Sequence, residues 1–204
     1  MTRVLAALVV SACASSGSAT PEEEVPPRAL PTAGLAGEAV AVYPLTMMLA
    51  EGPLGWDSLL APRREALDRA DEIVGLALTE RSPEVIWVLP AELRRAARRA
   101  PGMLPDPDQI GTSILRGNLS RVPDPLRAQI RMLTGVAGDR WALIPASLLF
   151  YSEGDGQGRA ELTLVLADVR TGNVGWRTVA NGEGTDPWSA LRDALATLYP
   201  GLPQ

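Results

Sequence analysis

The sequence predicts an α/β (α+β) fold: a single mixed sheet of about five strands, in the order β-α-β-α-α-β-β-β-α, flanked by helices. Three observations predict it. In the first half of the chain, short apolar runs rich in Val, Ile and Leu alternate with longer stretches of helical periodicity, as in strand-helix-strand units. In the second half, three apolar runs follow one another across short Gly, Asp and Asn clusters, as in an antiparallel meander. The 204 residues, 46% hydrophobic and 21% charged, have the balance of one packed domain.

The run from Ala39 to Leu45 is apolar on both faces and ends at a Gly/Pro loop, which suits a central first strand. Over 63–81, Leu67, Ala70, Val74, Ala77 and Leu78 share one stripe opposite Arg64, Asp68, Glu72 and Thr79, predicting an amphipathic helix. Glu84 to Leu89 reads as the second strand. Pro90 suits the first turn of a helix through Arg99 that stops at Pro101-Gly102. A helical stretch is expected near 107–116, and a further helix from Asp124-Pro125, with Leu126, Ile130, Leu133 and Val136 inward and Gly138 at its end. Trp141 to Tyr151, Ala160 to Val169 and Val174 to Ala180 form the three meander strands, joined by a loop at 153–158 and a turn at 170–173. A last helix starts at Asp186-Pro187 and buries Trp188, Leu191, Leu195 and Leu198.

Composition excludes several functions. The formal net charge is -5, which disfavours nucleic acid as a partner, because phosphate binding needs a basic surface. There is no histidine and one cysteine, so Ser-His-Asp, Cys-His and His-ligated zinc chemistry are out of reach. Ser113 and Ser147 have no base in view. Asp106, Asp108 and Asp155 sit in Gly/Pro loops without the ligand spacing of a calcium loop, and no two acids are fixed as a catalytic pair. No metal, no cofactor and no enzymatic activity are expected.

The amino terminus points to export. Arg3 supplies a positive start, Val4 to Val10 an apolar core too short to span a bilayer, and Ser11-Ala12 small residues before a cleavage site. Val10-Ser11-Ala12-Cys13 resembles a lipobox. That resemblance implies that 1–12 is a signal peptide and that Cys13 becomes a lipidated first residue, with several acyl chains giving a stable anchor. The Ser, Gly, Pro and acidic composition that follows makes 13–37 a flexible tether and 38–204 the globular domain. Ala14 stands where many Gram-negative lipoproteins carry an inner-membrane retention aspartate, favouring outer-membrane delivery facing the periplasm.

Ala167-Asp168-Val169-Arg170-Thr171-Gly172-Asn173-Val174-Gly175-Trp176 adds a family likeness. It is similar to the D-x-x-T-G-x-[IV]-x-W hairpin of the TolB amino-terminal, CsgG and LpoB type of envelope α/β domain, which the chain resembles by element order over roughly 38–201. The motif's physics is structural: Asp168 and Thr171 can accept from turn amides, Gly172 can take positive φ, and Trp176 can pack across the hairpin. The resemblance implies a periplasm-facing lipoprotein that acts by protein contact. Residues 141–180 only fill a small sheet, so no pore is expected.

Two features are candidate partner-binding sites. Arg94, Arg95, Arg98 and Arg99 form a basic stripe on one helix, suited to anionic headgroups or an acidic partner surface, or simply to water. Trp56, in a Gly/Pro loop, is either core packing or an exposed anchor. The leading functional reading is an adaptor or assembly factor bound to an envelope protein complex. The alternative is a periplasmic small-ligand or polysaccharide-binding module. A deep apolar pocket with converging polar groups favours the second; an exposed apolar patch rimmed by arginines favours the first.

Overall fold

In the computed structural model, which describes residues 33–137 and 140–198, the strands are β1 (Ala39–Val42), β2 (Met48–Ala50), β3 (Ile86–Val88), β4 (Trp141–Gly154), β5 (Gln157–Asp168) and β6 (Val174–Gly184). The helices are α1 (Arg63–Arg81), α2 (Pro90–Arg99), α3 (Leu126–Ala137) and α4 (Pro187–Thr197). The sheet is single and mixed, ordered β3-β1-β4-β5-β6. β1 runs parallel to β3 and β4, whereas β4, β5 and β6 form the antiparallel meander. Gly138, expected at the end of α3, lies outside the described residues, as do Val10, Ser11, Ala12 and Cys13.

The sheet has six strands rather than about five. The addition, β2, pairs in parallel with the second half of β4, from Met48 opposite Leu148 to Ala50 opposite Phe150. β4 is 14 residues long, and the β1 segment follows only its first half before bending out at Tyr43 to Met47 and returning. Three residues after a proline carry too little alternation to announce a strand. The helix expected near 107–116 is replaced by two 3-10 turns, Pro107–Gln109 and Thr112–Arg116, separated by Ile110 and Gly111. The β4–β5 connection tightens to a two-residue turn, Asp155-Gly156, both at positive φ (49° and 77°), which matches the twist of the long strands it joins.

Helices cover both faces of the sheet. α1 and α4 cover one: Ala70, Val74 and Leu78 meet Trp188, Leu191 and Leu195 over Val40, Leu143, Leu162 and Leu164. α2, α3 and the Thr112–Arg116 turn cover the other, burying Leu93, Leu115, Ile130 and Leu133 over Ala41, Ile144 and Val165. Strand residues alternate between these cores, as the period of two requires. Leu35 is also buried on the α1 side.

Two devices protect the sheet edges. β3, at one end, has only three residues. On β6, at the other, α4 supplies a cap: the Asp193 carboxylate accepts from the Glu183 N–H at 2.9 Å. α4 itself begins in a capping box, with Asp186 accepting from the Trp188 and Ser189 amides and the Ser189 side chain returning to the Asp186 backbone.

Candidate functional site: the arginine-rimmed groove between α2 and α3

α2 carries two kinds of arginine. Leu93 drops into the core, and one residue later Arg94 turns toward α1. There it donates to Asp71 at 2.6 Å and to both oxygens of Asp108, while Arg64 and Asp68 complete a chain of alternating charge. Asp71 also accepts from the Leu45 N–H at 2.8 Å, tying α1 to the loop after β1. Burial pushes Asp71 up to about 6, against the pull of the Leu45 amide and Arg94. At Arg94, burial works against the charge, but the hydrogen bonds to Asp108 and Asp71 outweigh it and hold the guanidinium above its ordinary value. Arg94 is therefore withdrawn from the expected stripe into an ion-paired cluster.

Arg95, Arg98 and Arg99 stay exposed, and among the described residues no carboxylate lies within ion-pair distance of them. Arg95 and Arg99 stand over a groove of about 450 Å³. Its apolar lining is Val88, Leu93, Ala96 and Ala100, Met103 and Leu104, and Val136 and Ala137 of α3, and one acid, Glu92, shares the lining with the two arginines. Met103 is 79% exposed and Val136 57%, so the apolar surface is open to solvent. Val136 was expected inward. Instead the last turn of α3 buries Leu133 and Thr134, and Val136 becomes a wall of the groove.

Trp56, an exposed anchor on one reading of its Gly/Pro loop, lies in the core instead. It is 5% exposed and packs edge-on against Phe150, with ring centroids 5.4 Å apart. The Gly52–Leu54 turn folds it inward, over Gly158 at the start of β5, so it belongs to the core and offers no anchor.

The hairpin motif is built by its own hydrogen bonds. Asp168 Oδ1 accepts from the Arg170 and Thr171 amides, the Thr171 hydroxyl accepts from the Asn173 amide, and Gly172 holds φ at 77°. Asp168 also receives Arg140 at 2.7 Å, a partner absent from the sequence reading; burial opposes its ionisation, but this ion pair and the turn amides hold its carboxyl below the usual range. Trp176 is half-buried against the α4-side core. Asp106 caps the Asp108 amide, Asp155 shapes the β4–β5 turn, and the Ser147 hydroxyl is buried beside Thr163 with no hydrogen-bond partner among the described residues.

Asp71 is the residue that sequence reasoning missed, although a signal was present. It lies on the same stripe as Leu67, Ala70, Val74 and Leu78, and a carboxylate on the buried face of a helix requires a cation opposite.

No protein-family model matches the chain, and neither does any curated protein. Solved structures show looser likenesses. The chain is similar to the LpoB C-terminal domain from Escherichia coli, with 17% identity over 72% of this chain and 83% of that one and a TM-score of 0.43. It is also similar to a PelC dodecamer subunit from Paraburkholderia phytofirmans, with 16% identity over 80% of this chain and 86% of that one and a TM-score of 0.41. A lipoprotein from Neisseria meningitidis matches at 13% identity over 72% of this chain and 83% of that one, with a TM-score of 0.35.

Proposed function

We propose that the protein is a non-enzymatic lipoprotein of the bacterial cell envelope, tethered through acylated Cys13, that works as an adaptor or assembly factor by protein contact. The observation that carries this reading is the open apolar groove with Arg95 and Arg99 on its rim. An exposed apolar patch beside unpaired arginines is the composition of a contact surface, where arginine contributes both stacking area and directed hydrogen bonds. The small-ligand alternative needs an enclosed cavity with several polar groups converging inside it, whereas this groove is open and its arginines lie at the edge.

Residues 1–13 supply the anchoring half of the proposal: a short apolar signal, a lipobox and one cysteine, with Ala14 favouring the outer membrane. The test is metabolic labelling. Cells making the full chain are expected to incorporate labelled palmitate, and Cys13→Ser is expected to lose both the label and sedimentation with membranes. A Cys13→Ser protein that remained membrane-bound would overturn the anchor.

A further inference from the structure

We propose that the groove between α2 and α3 is occupied, before any partner arrives, by this chain's own acidic segment Glu22-Glu23-Glu24-Val25, with Val25 against Ala100 and Met103 and the three glutamates facing Arg95, Arg98 and Arg99. The inference needs neither the lipid nor a partner, and so stands apart from the adaptor reading.

The charges of the groove and the segment are complementary. Arg95 and Arg99 line the groove against a single acid, Glu92, and Arg98 is exposed beside them on α2; none of the three arginines has an ion-pair partner among the described residues. Glu22 to Glu24 is the only run of three consecutive acids in the sequence. The run is followed at once by apolar Val25 and then by Pro26-Pro27, a pair whose fixed φ leaves a chain less backbone entropy to lose on docking.

The chain before Leu35 is long enough to reach the groove. The Gly37 N–H donates to the Glu84 carbonyl, and β1 starts beside Ile86 of the edge strand β3. α2 leaves the far end of β3 and runs back, bringing Ala100 and Met103 to the end of the sheet where β1 begins. α3 delivers Val136 and Ala137 to the same end, since β4 starts there with Trp141 beside Val40. The ten Cα-to-Cα steps from Val25 to Leu35 extend to roughly 33–36 Å. The path from the α1 side to the α2 side around short β3 is roughly 20 Å, at about 10 Å per packed layer. A partner binding the groove must then displace this segment, which makes the amino-terminal stretch a built-in competitor.

Disulfide trapping tests it. In the full chain with Cys13→Ser, the pair Val25→Cys and Met103→Cys is expected to close within single chains at least about tenfold faster than a control pair of Val25→Cys with Leu59→Cys on the α1 side, because docking raises the effective concentration. Arg95→Glu with Arg99→Glu should bring the rate down to that of the control at an unchanged melting temperature. Adding Glu22→Arg, Glu23→Arg and Glu24→Arg should restore it. Equal rates for the two pairs, indifference to the charge reversal, or bonds formed only between chains would overturn the proposal, the last by placing a second copy in the groove.

Discussion

Arg94→Ala is expected to lower stability by about 2–3 kcal/mol near pH 8, a fall of roughly 5–10 °C in melting temperature for a domain of this size. Arg95→Ala and Arg99→Ala are each expected to stay within about 0.5 kcal/mol of the parent. The asymmetry follows from what each guanidinium touches. Arg94 meets Asp71 at 2.6 Å, and the Asp71 carboxylate is almost wholly buried; removing the arginine leaves that charge without its cation. The loss should shrink on acidification. Asp71 in the folded protein takes up a proton near pH 6, well above the ordinary aspartate value of 3.8, and the protonated acid needs no cation. The stabilisation linked to its proton is complete below the unfolded-state value and disappears as pH rises through the folded one, so the Arg94→Ala deficit is larger at pH 8 than at pH 5. Thermal melts of the three variants at both pH values check this; equal losses for Arg94→Ala and Arg95→Ala would contradict the division of the stripe.

Gly182→Ala is expected to cost at least about 3 kcal/mol, because a methyl there has no room. β6 passes so close beneath α4 that a Cβ at Gly182 would run into the backbone of Asp193 and Ala194. Backbone cannot rotate aside as a side chain can, so α4 must lift, loosening Trp188, Leu191 and Leu195 from the core. Gly135→Ala is the matched control: no atom of a neighbouring element lies within 4 Å of its added Cβ on α3, and alanine there is expected to be neutral or to stabilise by about 0.5–1 kcal/mol. Chemical denaturation of the two variants separates close approach from helix propensity. Equal stability would mean that α4 does not sit on β6 as described.

These two cases mark where the sequence was legible. Amphipathic periodicity announced α1, α2 and α4, and alternation between turns announced β4, β5 and β6, because burial on one or two faces leaves a period that survives without knowledge of the partner. β2 was silent, since three residues cannot display a period and its existence depends on the length of β4, far along the chain. The arginines looked alike because i, i+1, i+4 and i+5 describes a stripe on a bare helix. Which of them is drawn inward depends on Asp71 and Asp108, supplied by other elements. Trp56 misled for a similar reason: its Gly/Pro neighbours signal a loop, but the pocket that swallows its ring is made by Phe150 and Gly158. The groove was half visible. Its basic rim was read from α2, whereas its walls arise where α3 overruns the sheet at Val136 and where Met103 follows the end of α2.

On the proposed function, the groove between α2 and α3 is the surface through which the protein acts. Site-specific photo-crosslinking from residue 103 of the full-length protein, in cells of its own kind, tests it most directly. A single discrete adduct with another envelope protein is expected, abolished by Arg95→Glu with Arg99→Glu while the melting temperature is unchanged. An adduct that persisted in that variant, or that formed equally from residue 59 on the α1 side, would contradict it.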